Sequence, residues 1–275
     1  MSKIYKHAPL PFIGQKRFFV KSFSETLEKA AGVIDTVVDL FGGSGLLSHV
    51  SKAILPDCRV IYNDYDDYTQ RLSVVDRTNE ILAQFRECLD GVPRYARLND
   101  RQRTDILAIV ERYAASGYVD FMAIGQAVLF SGSWVKSFDD LKKRTMYNNV
   151  ARTAYDCSGY LDGLEIVHMD YRELFERHKD NPRALFIVDP PYLTTEVGQY
   201  ENYWRLPQFL DVMKITKGER KYIFFTSDKS QIIELCHWLA GEYGEVAPLY
   251  GATKQCRKNC LNYGARFTDI MMVKL

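Results

Sequence analysis

Two clusters in this sequence have the residue types and spacing to do chemistry. The first is Asp39-Leu40-Phe41-Gly42-Gly43-Ser44-Gly45, with Asp64 following nineteen residues after Gly45. Glycines accept positive φ and let a ligand come close to the main chain. A carboxylate at Asp64 can accept from both hydroxyls of a ribose, because each hydroxyl is a donor. Together they point to a ligand that contains a nucleoside. The G-x-G-x-x-G pattern is not met, since Leu46, Leu47 and Ser48 follow Gly45, and no Gly-Lys-Ser/Thr phosphate loop is present. A purely structural strand-to-helix turn is the alternative. The second cluster is Asp189-Pro190-Pro191-Tyr192. Two prolines remove two backbone donors and stiffen the turn. The Asp189 carboxylate and the Pro190 carbonyl can then both accept from one amino group, and Tyr192 offers a flat face for stacking. Two acceptors and an aromatic plate suit the exocyclic amine of a flipped-out nucleobase. A rigid loop with a surface tyrosine is the plainer reading.

These residues need elements to position them. Thr36–Phe41 is a short apolar run that feeds the glycine turn, Leu46–Leu55 reads as a helix stopped by Pro56, and Arg59–Tyr62 reads as the next strand. From about Asp66 to Gly163 the chain is mostly helical, with helix-like spacing at Gln70–Leu89, Arg101–Ala115 and Phe121–Phe130. Strand and helix alternate again from Glu165–Met169. Ala184–Val188 is a near-continuous apolar run, as expected of a parallel strand buried on both faces. Lys221–Thr226 and Asp269–Val273 are further strands, and Ser230–Leu239 is a helix. The expected organisation is therefore an α/β sheet domain built from residues 1–65 and 164–275, interrupted by an inserted helical domain at 66–163.

Composition excludes several classes. Hydrophobic residues are 47% and charged residues 26%, which fits a folded globular chain and argues against disorder or a simple coiled coil. The formal net charge is +1, so any footprint for nucleic acid must be local. No apolar run approaches the ~20 residues that span a bilayer. Met1–His7 leads into no apolar export segment, so a cytoplasmic location is expected. The six cysteines are scattered and read as reduced thiols, with no disulfide framework and no metal site.

Phe41-x-Gly43-x-Gly45 followed by Asp189-Pro190-Pro191-Tyr192 resembles the S-adenosylmethionine-dependent amino methyltransferases of DNA. Asp-Pro-Pro-Tyr is the form usual in the adenine-specific branch. The cofactor motif comes before the insertion and Asp189–Tyr192 after it, which resembles the alpha group of Dam-type adenine methyltransferases. The resemblance implies a class I, Rossmann-like, doubly wound sheet with an inserted helical target-recognition domain. It implies S-adenosyl-L-methionine as cofactor, held by Lys16, Asp39, Phe41, Gly43, Gly45, Asp64 and Asp170, and catalysis by Asp189, Pro190, Pro191 and Tyr192. Pro11–Lys16 departs from the family's Gly-Gly-Lys at Gln15, and a helix N-cap is the plainer alternative for Asp170. No Pro-Cys pair is present to serve ring-carbon methylation of cytosine.

The implied partner is double-stranded DNA, bound by a monomer in the nucleoid of a bacterial or phage-infected cell, with no obligatory restriction endonuclease. RNA is the rival substrate, and a catalytically silent nucleic-acid-binding protein the rival class. Two basic segments suit phosphate contacts: Trp134, Lys136, Lys142, Lys143 and Arg144 in the insertion, and Lys254, Arg257 and Lys258 near the C-terminus. A solvated helix face and a surface hairpin are their plain alternatives. Asn262-Tyr263 is a further candidate for holding the flipped base. Tyr147, Phe175, Phe186 and Trp238 are expected to pack in or at the edge of the core, Cys236-His237 within a helix, and Asp66 and Asp67 as solvated charges at a helix start.

Overall fold

A computed structural model of the chain describes residues 3–130, 133–191, 206–260 and 266–275. The strands are β1 (Thr36–Asp39), β2 (Arg59–Asn63), β3 (Glu165–Val167), β4 (Ala184–Val188), β5 (Lys221–Ser227), β6 (Thr253–Cys260) and β7 (Arg266–Lys274). The helices are α1 (Val20–Ala30), α2 (Leu46–Ile54), α3 (Tyr68–Ser73), α4 (Val75–Cys88), α5 (Asp100–Ala115), α6 (Phe121–Val128), α7 (Phe138–Lys142), α8 (Tyr171–His178), α9 (Leu206–Met213) and α10 (Ile232–Tyr243). They form two compact units. One contains Ile4–His7, Lys16–Asp66 and Leu161–Leu275; the other contains residue 3, Ala8–Gln15 and Asp67–Tyr160.

The first unit is built on a seven-stranded sheet in the order β3-β2-β1-β4-β5-β7-β6. Strands β1 to β5 run parallel, and β7 lies antiparallel to both β5 and β6. The period-2 alternation of side chains gives each central strand two buried faces. Val38, Ile61, Phe186 and Phe224 pack with Leu174, Phe209 and Ile233 from α8, α9 and α10. Val37, Val60, Ile187 and Phe225 pack with Phe23 and Leu27 of α1 and Leu47 and Val50 of α2. This is a doubly wound, Rossmann-like sheet with helices on both faces, the fold class expected from the sequence. β1 is hydrogen-bonded to β2 on one side and β4 on the other, so the order reverses between β1 and β4. In open α/β sheets the crevice beyond the carboxyl ends of strands at such a reversal is where ligands bind.

The second unit has its own core, centred on Ile81, Phe85, Ile106, Val110, Ile124 and Val128. Three of its helices start on side-chain caps: Asn99 with Gln102 forms a capping box for α5, Asp120 caps α6 and Ser137 caps α7. The sequence groups Ala8–Gln15 with the sheet, but they belong to this unit. The reason is specific bonding. The Tyr68 hydroxyl lies within hydrogen-bond distance of both the N–H and the carbonyl of Leu10, and Arg71 Nη2 donates to the Pro11 carbonyl at 2.8 Å. Arg71 also pairs with buried Asp120 at 3.0 Å.

Two expectations need correction. The helix expected over Gln70–Leu89 is two helices, with the chain leaving helical geometry at Val74 (φ −109°, ψ 20°). α3 is tied to residues 10–11 while α4 packs on the core of its unit, and the two demands turn the chain. Trp238 is exposed, because Ile232, Ile233 and Cys236 already form the inward stripe of α10 and Trp238 lies off it. Tyr147 packs at the edge, half-buried against Phe130, and Phe175 and Phe186 are core residues, as expected. Among the described residues, no helix is long and apolar enough to cross a membrane.

Candidate active site

β1 delivers Asp39 to the carboxyl edge of the sheet, where it is buried and accepts a 2.7 Å hydrogen bond on Oδ2 from the Ser48 hydroxyl of α2. The chain then turns sharply. The Gly45 N–H donates to the Gly42 carbonyl at 2.7 Å, and Gly43 (φ 49°) and Gly45 (φ 72°) adopt left-handed conformations. α2 starts at Leu46 with no side chain capping its first turn. Tyr62 fills the space beneath the turn. Its hydroxyl lies 2.8 Å from the Gly43 carbonyl and 2.9 Å from Asp64 Oδ1, and its single proton serves one acceptor at a time. A methyl group added at Gly42 would sit 2.3 Å from the Tyr62 ring, so glycine is required here by contact.

Asp64 follows β2 and is buried. Its neighbour Asn63 fixes three main-chain positions. Nδ2 donates to the carbonyls of Leu40 (3.1 Å) and Met169 (3.0 Å), and Oδ1 accepts from the Met169 N–H (3.1 Å). His168 Nδ1 lies 2.9 Å from the Asp64 carbonyl, and the exposed Tyr65 ring stacks on the His168 ring with centroids 5.5 Å apart. Phe41 is half-buried against Tyr171, centroids 4.8 Å apart. Asp170 caps α8, accepting from the Arg172 N–H at 2.7 Å, and is half-exposed. That is the helix-cap role for Oδ1, while Oδ2 lies 3.8 Å from Arg172 Nη1.

β4 delivers Asp189 beside β1. Lys16 Nζ lies 2.5 Å from Asp189 Oδ2; the side chains are only 9% and 18% exposed. The Lys16 ammonium also lies 5.8 Å from the centroid of the Phe225 ring on β5. Burial raises the Asp189 carboxyl above its ordinary value, and Lys16 opposes that rise. Burial pushes Asp39 up to about 7; the Ser48 hydrogen bond opposes this, and the negative charge of Asp189 adds to it. One lysine thus stands beside the half-buried Asp189 and the buried Asp39, and burial favours the protonated form of each. Pro190 is buried and Pro191 half-buried. Tyr192 and Asn262-Tyr263 lie outside the described residues.

The sequence-predicted residues therefore divide. Asp39, Phe41, Gly43, Gly45, Asp64, Lys16, Asp189 and Pro190 all belong to the carboxyl-edge segments of the sheet unit or bond to them. Lys16 was expected at the cofactor, and here its ammonium is on Asp189. The basic residues of the insertion are partly spoken for: Lys142 pairs with Asp139 at 2.7 Å and Arg144 with Asp140 at 3.1 Å, while Trp134 is half-buried and Lys136 and Lys143 are exposed. Such surface pairs contribute little to stability. Lys254, Arg257 and Lys258 are exposed on the edge strand β6. Charges on an edge strand also discourage pairing with other chains. Sequence reasoning missed Ser48, Tyr62, Asn63 and His168. Only Asn63, adjacent to Asp64, carried a positional hint.

No family profile matches the chain. A Haemophilus influenzae protein named "Putative methyltransferase" is 38% identical over 244 residues, which cover 86% of this chain and 81% of that protein. Among solved structures, precorrin-6y C5,15-methyltransferase from Geobacter metallireducens aligns over 92% of this chain and 89% of its own, at 11% identity and a TM-score of 0.34. A likeness of that size carries no argument.

Proposed function

The chain belongs to the methyltransferase family of its Haemophilus influenzae relative, and from that premise we propose that it methylates the exocyclic 6-amino group of adenine in duplex DNA, with S-adenosylmethionine as donor. The observation that carries this reading is the Asp189-Pro190-Pro191 corner at the end of β4, next to the glycine turn that ends β1. The left-handed glycines, the uncapped start of α2 and the Asp64 carboxylate fit a nucleoside donor of this kind.

The donor supplies a methyl group already activated on a sulfonium. The adenine amine is a poor nucleophile, because its lone pair is delocalised into the ring. Asp189 and the Pro190 carbonyl accept its two N–H groups and favour positive charge on nitrogen as it attacks. The two prolines hold both acceptors in fixed relation, so the amine is aligned for in-line attack. The surplus amine proton passes to Asp189 or to water. No covalent enzyme intermediate is required. A target inside a duplex must be extruded, at a cost of a few kcal/mol, and the basic residues of the insertion and of β6 are the proposed phosphate contacts.

The test is direct. Purified protein is incubated with isotopically labelled donor and, in parallel, duplex DNA, single-stranded RNA and free nucleosides, and the products are digested and resolved by mass spectrometry. N6-methyldeoxyadenosine from duplex DNA is the expected product. Label appearing only in RNA or in free nucleosides refutes the DNA assignment. Single-molecule sequencing of DNA from a methylation-free host that expresses the chain then gives the sequence context.

A further inference from the structure

The site raises a question that the resemblance does not answer. Asp189 must be ionised to favour positive charge on an amine and to take up its surplus proton, yet it is largely buried, where ionisation is disfavoured. Its other neighbours offer no compensating charge. Asp39, from the adjacent strand β1, is a second acid, and β5 contributes the uncharged ring of Phe225. Among the described residues the one basic group bonded to Asp189 is Lys16, which reaches it from the segment before α1.

We propose that Lys16 is a positioning residue for the catalytic carboxylate: its ammonium, 2.5 Å from Oδ2, keeps Asp189 charged and fixes which oxygen faces the acceptor. The geometry divides the labour between the two oxygens. Oδ2 is taken by Lys16, and Oδ1, bonded to no described side chain, is assigned to receive the N–H of an incoming amine; a carboxylate has lone pairs for both. The low exposure of both side chains keeps water from screening the pair, so the lysine acts on Asp189 far more strongly than a surface partner would. This assigns Lys16 to the acceptor half of the reaction, beyond the donor-holding role implied by resemblance. The inference rests on the reading of Asp189 as the ligand of the acceptor amine.

The experiment uses the full-length, donor-free protein. The Asp189 carboxyl is followed by carbon NMR against pH, assigned by its loss in Asp189→Asn, with Asp39→Asn as background so that the two titrations do not overlap. Lys16→Met is expected to move the Asp189 titration upward by ~1–3 pH units, and Lys16→Arg to bring it back. Where turnover is measurable, the acid limb of kcat moves by the same amount, with little change in KM for the donor. If Lys16→Met does not fold, Lys16→Gln, a neutral side chain that still donates, takes its place. An Asp189 titration that is unchanged in the folded variants overturns the proposal, as does a shift that Lys16→Arg fails to reverse. The titration needs no acceptor. A protein that shows the shift but leaves DNA unmethylated therefore refutes the substrate assignment alone.

Discussion

Replacing Gly42 by alanine drives a methyl group into Tyr62. The added carbon would lie 2.3 Å from two ring carbons and 2.8 Å from the Asn63 carbonyl oxygen. Ordinary carbon contacts are ~3.5–4.0 Å, so the ring must retreat by more than ~1 Å. It has nowhere to go: Tyr62 is fully buried and its hydroxyl is held at the Gly43 carbonyl and at Asp64. Backbone strain plays no part, because Gly42 is not among the positive-φ glycines. Overpacking of this kind costs ~1–3 kcal/mol, and the lost hydroxyl bond adds ~1 kcal/mol. A total of ~2–4 kcal/mol lowers Tm by roughly 4–16 °C for a chain of this size. Scanning calorimetry reads that value, and titration calorimetry with S-adenosylhomocysteine reads the accompanying loss of affinity. The double variant Gly42→Ala/Tyr62→Ala removes the ring that is struck, so it must be less destabilised than the sum of its single variants. An unchanged Tm, or strict additivity in the double variant, refutes the reasoning.

Other expectations follow from the same geometry. Asp189→Asn should lower single-turnover methyl transfer at least ~10²-fold while titration calorimetry shows S-adenosylhomocysteine still bound; retained turnover removes the role given to Asp189. Tyr62→Phe keeps the ring and loses the hydroxyl, so it should weaken S-adenosylhomocysteine binding and cost ~1 kcal/mol of stability, read from urea midpoints. Asp39 has a folded value raised by burial to about 7, so the folded state holds a proton that the unfolded state has released between about pH 4 and 7. Stability from this group is present at low pH and lost as pH rises through that window. Urea unfolding at pH 5 and at pH 7.5 should show wild type losing more stability than Asp39→Asn across the interval, by an amount of order 2–4 kcal/mol; equal losses contradict the assignment.

The parts of the molecule legible in the sequence are those that local physics dictates. Ala184–Val188 is apolar at every position because both its faces are covered, and it is a strand over the span expected. The turn from Asp39 to Gly45 was visible because close approach and positive φ leave few alternatives to glycine. β6 is legible only as the surface hairpin offered as the alternative for residues 254–258: Thr253–Cys260 carries almost no apolar residues, as suits an exposed edge, and so has no hydrophobic period. The pairing of Lys16 with Asp189 is a tertiary contact between distant segments, which no local pattern encodes. The same holds for Ser48 with Asp39 and for Tyr62 beneath the glycines. Motif reading therefore located the reactive groups, while the residues that tune them became visible only after folding.

Asn63 carries a consequence for how the donor side of the crevice loosens. Its single buried amide ties the end of β1 at Leu40 to the Met169 segment between β3 and α8. Displacing the Asn63 side chain breaks all three bonds at once, so an opening that moves it should expose amide protons of both stretches together. A ligand that grips either stretch then protects both.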